Sequence, residues 1–248
     1  MMTIGIAGLP IGIDNRYPYL TNLCADYLTD EPPLFTVRAD DDEIREESRV
    51  SGIRDPGCLE STVVYRAIAR KLPYYDALVF HGAVLAVEGG AYAFTAKSGT
   101  GKTTHLRLWL SEFGDKVHIL NGDKPILRFI DGTLYAAGTP WRGKENYGRR
   151  EMLPLRAITF LSRGEENRMT AATPSDMLFS FFGQIFLPEE QEATERTLAL
   201  SERILTETKL FRLFCNMDPE AAHIARRALE NGCTGEISEK TQEKESKA

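Results

Sequence analysis

Residues 96–103 read Ala-Lys-Ser-Gly-Thr-Gly-Lys-Thr and lie between an apolar run and an amphipathic one, an order of parts that constrains this chain more than any other feature. Ala91, Tyr92, Ala93, Phe94 and Thr95 predict a short strand, and Leu106, Trp109, Leu110 and Phe113 recur at i, i+3, i+4 and i+7, which predicts a helix. A phosphate-binding loop needs small residues so that successive backbone N–H groups can point inward. It also needs a Lys to reach the outer phosphates and a hydroxyl to hold Mg²⁺. Gly99, Gly101, Lys102 and Thr103 supply those parts, and Ser98, Thr100 and Thr104 complete the candidate cofactor-binding set. Ala96 stands where the common form of the pattern has Gly, so the surroundings must carry the argument. They do so through the strand–loop–helix order, and the helix N-terminus adds its partial positive charge to the loop amides. The competing reading is a glycine-rich turn that opens an ordinary helix.

With 248 residues, 42% hydrophobic and 27% charged, the chain has ordinary globular composition and enough length for one domain or one and a half. A net charge of −6 gives no general attraction for nucleic acid or an anionic membrane, so any anion must be held locally. Cys24, Cys58, Cys215 and Cys233 form neither a CxxC zinc pattern nor a dense disulfide framework, which points to a reducing cytoplasm. The apolar start over residues 3–13 lacks a basic n-region and is broken by Gly8, Pro10 and Gly12, so it reads as strand and turn. Residues 77–87 are too few for a membrane span and include His81 and Gly82. The expectation is a soluble, cytoplasmic protein with no nucleic-acid or membrane partner, and self-association into a homo-oligomer stays open.

Along the chain, strands are expected at residues 3–7 and 35–38, the acidic segment 40–47 as a solvated face or loop, and a helix over residues 60–72. Two strands within 77–94 are separated by Glu88-Gly89-Gly90, a hairpin signal. After the loop helix come strands at 117–120 and 126–130, a turn at Asp131-Gly132, and strands at 134–137 and 157–161. Residues 138–150 read as a basic loop. Helices are expected over 175–185, 189–207 and 219–231, with a strand at 210–214. The polar end, residues 232–248, reads as a disordered tail. This organisation predicts an α/β fold, with an N-terminal lobe (1–76) packed on a nucleotide-binding core (77–231) of mixed sheet flanked by helices.

Phosphoryl transfer needs an acidic group near the loop, to hold Mg²⁺ with the loop hydroxyl or to accept a proton from the attacking hydroxyl. Asp123 is the candidate, because it follows a strand at the chain distance from Lys102 that a strand–helix–strand unit requires. Asn121-Gly122 is also a favoured hairpin turn, which would leave Asp123 an exposed turn carboxylate. Lys124 beside it reads as solvated, and His81 by pattern alone reads as a core histidine. Trp141, Arg142, Gly143 and Lys144 either offer donors to an anionic substrate or form a basic surface loop around one buried Trp. The chain has no Asn-Lys-x-Asp guanine-reading motif and no protein-kinase catalytic loop.

Taken together, Phe80-His81-Gly82, Ala96 through Thr104, the strand ending in Asp123, and Gly138-Thr139-Pro140-Trp141-Arg142-Gly143-Lys144 resemble the HPr kinase/phosphorylase family. Its core is similar to that of phosphoenolpyruvate carboxykinase, and the resemblance spans roughly residues 81–168. It implies an ATP- and Mg²⁺-dependent kinase that transfers a phosphoryl group to a hydroxyl, with Asp123 as base and Lys102 on the phosphates. By the same resemblance Thr103 becomes a metal ligand and His81 joins the catalytic group; Asp123 is the second candidate metal ligand, and Arg142 and Lys144 of the basic loop are the candidate substrate-binding residues. The family usually carries two adjacent aspartates where this chain has Gly122-Asp123, and Thr103 replaces the common Ser. No counterpart of the family's separate N-terminal domain or of its phosphorolysis segment is found. The acceptor implied is therefore a Ser or Thr of a peptide or protein, or a small molecule. The alternative is a non-catalytic module that binds and senses ATP. A decarboxylating carboxykinase is a weaker reading, since its metal-binding Lys and His and its substrate Arg have no assignable counterparts.

Overall fold

The computed structural model describes residues 1–231 and 237–238. The chain is mixed α/β, with a small N-terminal sheet and a larger curled mixed sheet flanked by helices. In the small sheet β1 (Met2–Ile6) runs antiparallel to β2 (Leu9–Asp14), which pairs in parallel with β3 (Phe35–Arg38). Helices α1 (Pro18–Leu23), α2 (Asp41–Ser51) and α3 (Pro56–Lys71) pack with it around Ile4, Ile11, Ile13, Val64 and Ile68.

The acidic segment expected to be a loop is helix α2. The Asp40 side chain accepts from the Asp42 N–H at 2.9 Å and caps the helix, and Asp41, Asp42 and Glu43 sit in the first turn, where the helix dipole favours negative charge. Glu43 and Glu47 meet Arg70 and Arg66 of α3, so part of the charge taken for a solvated face is an interhelical contact. Glu60 on α3 is fully buried and accepts the backbone N–H groups of Arg16 at 2.6 Å and Tyr17 at 3.1 Å, fixing the exit of β2 against α3.

In the larger sheet the strand order is β13-β11-β12-β10-β6-β5-β7, over β5 (Ala83–Val87), β6 (Gly90–Thr95), β7 (Val117–Asn121), β10 (Met152–Arg163), β11 (Arg168–Ala171), β12 (Lys209–Cys215) and β13 (Ile237–Ser238). Strand β10 is 12 residues long, far longer than residues 157–161 alone. Its start pairs with β9 (Thr133–Ala137), and its later half runs parallel to both β6 and β12 after a register shift between Leu155 and Ala157. Strands β4 (Ala77–Val79) and β8 (Ile126–Ile130) extend this bent layer beside β9.

Side-chain alternation along the strands feeds two cores. Ala91, Ala93 and Ile158 face a cluster with Phe181 and Ile204, brought by α5 (Pro174–Phe182) and α6 (Gln191–Glu207). Phe94, Ala157 and Leu161 face Trp109 and Ile224, brought by α4 (Lys102–Phe113) and α7 (Glu220–Asn231). The expected hairpin at Glu88-Gly89 and the turn at Asp131-Gly132 are both present, with positive φ at each of the four residues as two-residue hairpins require. Strands β2 and β11 and helix α1 are additions to the elements expected from sequence, and the first of the two strands expected within 77–94 is divided into β4 and β5. The tail expected at 232–248 lies outside the described residues, apart from Ile237–Ser238, which pair with β11. Among the described residues no helix is long and apolar enough to cross a membrane.

Replacing Glu60 with Ala removes the acceptor of two backbone N–H groups and leaves a void against α3. It is expected to lower unfolding free energy by about 1–3 kcal/mol, read as a reduced midpoint in urea.

Candidate functional site at the glycine-rich loop

Strand directions decide what meets the loop. β5 runs antiparallel to both β6 and β7, so β6 and β7 point the same way, and the end of one, Thr95, lies at the same sheet edge as the end of the other, Asn121. The start of β5 also lies at that edge, with Ala83 opposite Phe94 and Val84 opposite Asn121. Segments 81–82, 96–104 and 122–124 therefore converge without any long-range side-chain contact being needed.

They enclose a cavity of about 490 Å³ whose walls include His81, Ser98, Gly99, Gly101, Lys102, Thr103, Thr104, Asp123, Arg142 and Lys144. Of the residues singled out from sequence, Thr100 lies outside this wall, on the far flank of the loop. Gly99 and Gly101 have φ of 77° and 124°, and a Cβ at either would meet nothing within 4 Å. Glycine is required here for backbone conformation while the loop faces open space. No side chain caps the start of α4, so the N–H groups of its first turn are left to the solvent side of the loop or to an anion.

Lys102 is half-buried and donates to the carbonyl of Ala96 at 2.9 Å. Burial lowers its pKa, partly opposed by the nearby charge of Asp123. Asp123 is not an exposed turn carboxylate. Asn121, fully buried, accepts the N–H groups of Asp123 at 2.9 Å and Lys124 at 2.7 Å, while its amide donates to the carbonyl and hydroxyl of Thr139, both at 3.1 Å. β7 pairs with β5 and not with β8, which rules out the two-residue hairpin that Asn121-Gly122 suggests. One carboxylate oxygen of Asp123 lies 3.3 Å from His81 Nε2, and the other accepts from the ammonium of Lys124, which is thus an ion-pair partner and not a solvated bystander. Burial pushes the Asp123 carboxyl up, but hydrogen bonds from His81 and Lys124 and their charges outweigh it and hold it down at about 2.

Arg142 lines the cavity, and its guanidinium pairs with Asp26 at 3.0 Å and lies over the Tyr27 ring. Trp141 packs at a tilt against Tyr65 and donates to Ser61 at 3.0 Å, so the basic loop is pinned to α3. Lys144 is exposed on the rim.

Two functional candidates escaped the sequence reading. Asn121 sits inside a local turn signal, and only its burial marks it as the residue that orients Asp123. Arg163 stands at the end of β10, and the parallel register that sets Phe160 beside Thr95 carries it past the end of β6. There it donates to the carbonyl of Gly99 at 2.6 Å. No local pattern signals that β10 is the neighbour of β6.

The donor set fits a hard cation held jointly with phosphate oxygens. Thr103 and Asp123 both line the cavity and carry oxygen ligands, and among the described residues no group of three or more His, Cys, Asp or Glu could hold a metal by itself.

Because folding lowers the Asp123 pKa from 3.8 to about 2, it favours the ionised form. The stability this adds is fully present above about pH 4 and is lost as pH falls toward 2. In Asp123→Asn that part of the acid limb should disappear when unfolding free energy is followed against pH by urea titration.

No protein-family model and no curated protein matches the chain. Among solved structures it is similar to the HPr(Ser) kinase/phosphatase from Coxiella burnetii, at 12% identity over 52% of this chain and 92% of that one, with a TM-score of 0.28. That is a distant structural likeness, and so loose a superposition carries no argument about the chemistry of this site.

Proposed function

We propose that the chain is an ATP- and Mg²⁺-dependent kinase that transfers the terminal phosphoryl group to a hydroxyl of a protein, peptide or small molecule. The observation that carries this reading is the convergence of Lys102, Thr103 and Asp123 on one cavity beside an open glycine-rich loop and an uncapped helix start.

In this reading the amides of residues 98–104 cradle the phosphates, and Lys102 leaves the Ala96 carbonyl to balance charge on the transferred group. Mg²⁺, held by Thr103 and Asp123 with phosphate oxygens, would neutralise charge between the outer phosphates. The acceptor oxygen forms a bond to phosphorus as the bond to the leaving diphosphate breaks, and its proton passes to Asp123. A carboxyl held near 2 is a weak base, so Asp123 serves mainly to orient the hydroxyl and receives the proton late, as suits a loose transition state. His81, 3.3 Å away, and Lys124 hold that carboxylate in place. Lys144 on the rim is the cation available to an anionic acceptor, whereas Arg142 acts through the loop it anchors.

One observation favours a second reading, in which the protein binds ATP without turnover. The single carboxylate is already neutralised by Lys124, so bound nucleotide could persist as a signal.

With γ-labelled ATP, Mg²⁺ and a cell extract split into macromolecular and small-molecule fractions, wild type should label one fraction and Lys102→Ala neither. Asp123→Asn should transfer about 10²–10⁴-fold more slowly while still binding nucleotide. Intact ATP after hours with wild type, together with a raised melting temperature, would select the sensing module.

A further inference from the structure

The loop borders a second cavity on the opposite flank of the first turn of α4. This space, about 480 Å³, lies between the loop and the ends of β10 and β12. Gly99, Gly101 and Thr104 line both cavities, and His105, Arg163 and Met217 line the second and not the first.

Three of these residues carry recognition chemistry. His105 is 2% exposed and sits between the Phe94 and Trp109 rings. Its Nε2 lies 2.9 Å from the Trp109 indole N–H, which can only donate, so the imidazole proton resides on Nδ1. That Nδ1 is buried without a partner, a condition native proteins seldom leave unexplained. Arg163 grips the loop through the Gly99 carbonyl, which leaves its planar guanidinium at the rim, and Met217 is 78% exposed at the same cavity.

We propose that this second cavity seats the nucleoside end of the nucleotide whose phosphates lie on the loop. The inference rests on the nucleotide reading above and extends it. Asp123, His81 and Lys144 all face the first cavity, so the acceptor belongs there. In-line transfer sets the leaving diphosphate on the far side of the phosphorus from the acceptor. The loop residues common to both cavities form the passage between them, and Thr104, next after the candidate metal ligand Thr103, stands at the crossing. The volume falls within the roughly 300–1,000 Å³ of small-molecule sites. A planar guanidinium stacks on a flat heteroaromatic ring, a thioether packs against its edge, and the His105 Nδ1–H supplies a donor to a ring nitrogen or a ribose oxygen.

The test combines photolabelling of wild type by 8-azido-ATP, with peptide mapping, and equilibrium binding of ATP and of inorganic tripolyphosphate to wild type and Met217→Trp. The expected result is label in the peptide that contains Met217. Met217→Trp should weaken ATP binding at least about tenfold while tripolyphosphate binding stays within about twofold. Label on the 142–147 loop, or an unchanged ATP affinity in Met217→Trp, would return the nucleoside to the first cavity and overturn the inference while the nucleotide reading stands. Binding of neither ATP nor tripolyphosphate by wild type would overturn the nucleotide reading, and this inference with it.

Discussion

The hydrogen bonding of β10 is the constraint on which the rest of the molecule depends. Its first residues pair with β9 in the layer that also holds β4 and β8, and its later ones lie between β6 and β12. One strand thus bends a sheet that would otherwise be two, and the register shift between Leu155 and Ala157 is where the bend is taken up. Because its later half runs parallel to β6, its end emerges at the same edge as the glycine-rich loop. That edge is where strand ends and the start of α4 meet, as open α/β sheets generally arrange their sites.

Electrostatics at this edge is organised by enclosure more than by net charge. The chain is acidic overall, at −6, yet Asp123 is paired with His81 and Lys124 and feels the nearby charge of Lys102. Asp123 keeps its charge despite burial because its partners are within hydrogen-bond reach, and Asn121 fixes the backbone from which it projects. A carboxylate so stabilised is a dependable ligand and orienting group, and it gives up basicity in return.

Much of this was legible in the chain itself. Ala91 to Thr95 and the Leu106–Phe113 stripe announce the strand and helix around the loop because their periodicities differ, and the residues flagged at 81, 98–104, 123, 142 and 144 share a cavity apart from Thr100. The failures have physical causes. Residues 40–47 were read by charge, but a capped acidic first turn and two arginines on α3 make that charge helical. Asn121-Gly122 carries a hairpin signal that tertiary pairing overrides. Arg163 and the guanidinium of Arg142 depend on neighbours distant in sequence, Gly99 and Asp26, and no local pattern encodes such a pairing.

The tethering of the basic loop to the N-terminal lobe has a mechanical consequence. Residues 138–150 are held at their ends by β9 and β10 and in the middle by Trp141 on Ser61 and Tyr65 and by Arg142 on Asp26. A span fixed at three points cannot flap as an independent lid. Any displacement of the lobe formed by β1 to β3 and α1 to α3 is transmitted as a movement of Lys144 relative to Asp123. The position of Lys144 relative to Asp123 is thereby tied to the seating of β1 to β3 and α1 to α3, which share one buried core with Val79 and Ile126 of the larger sheet.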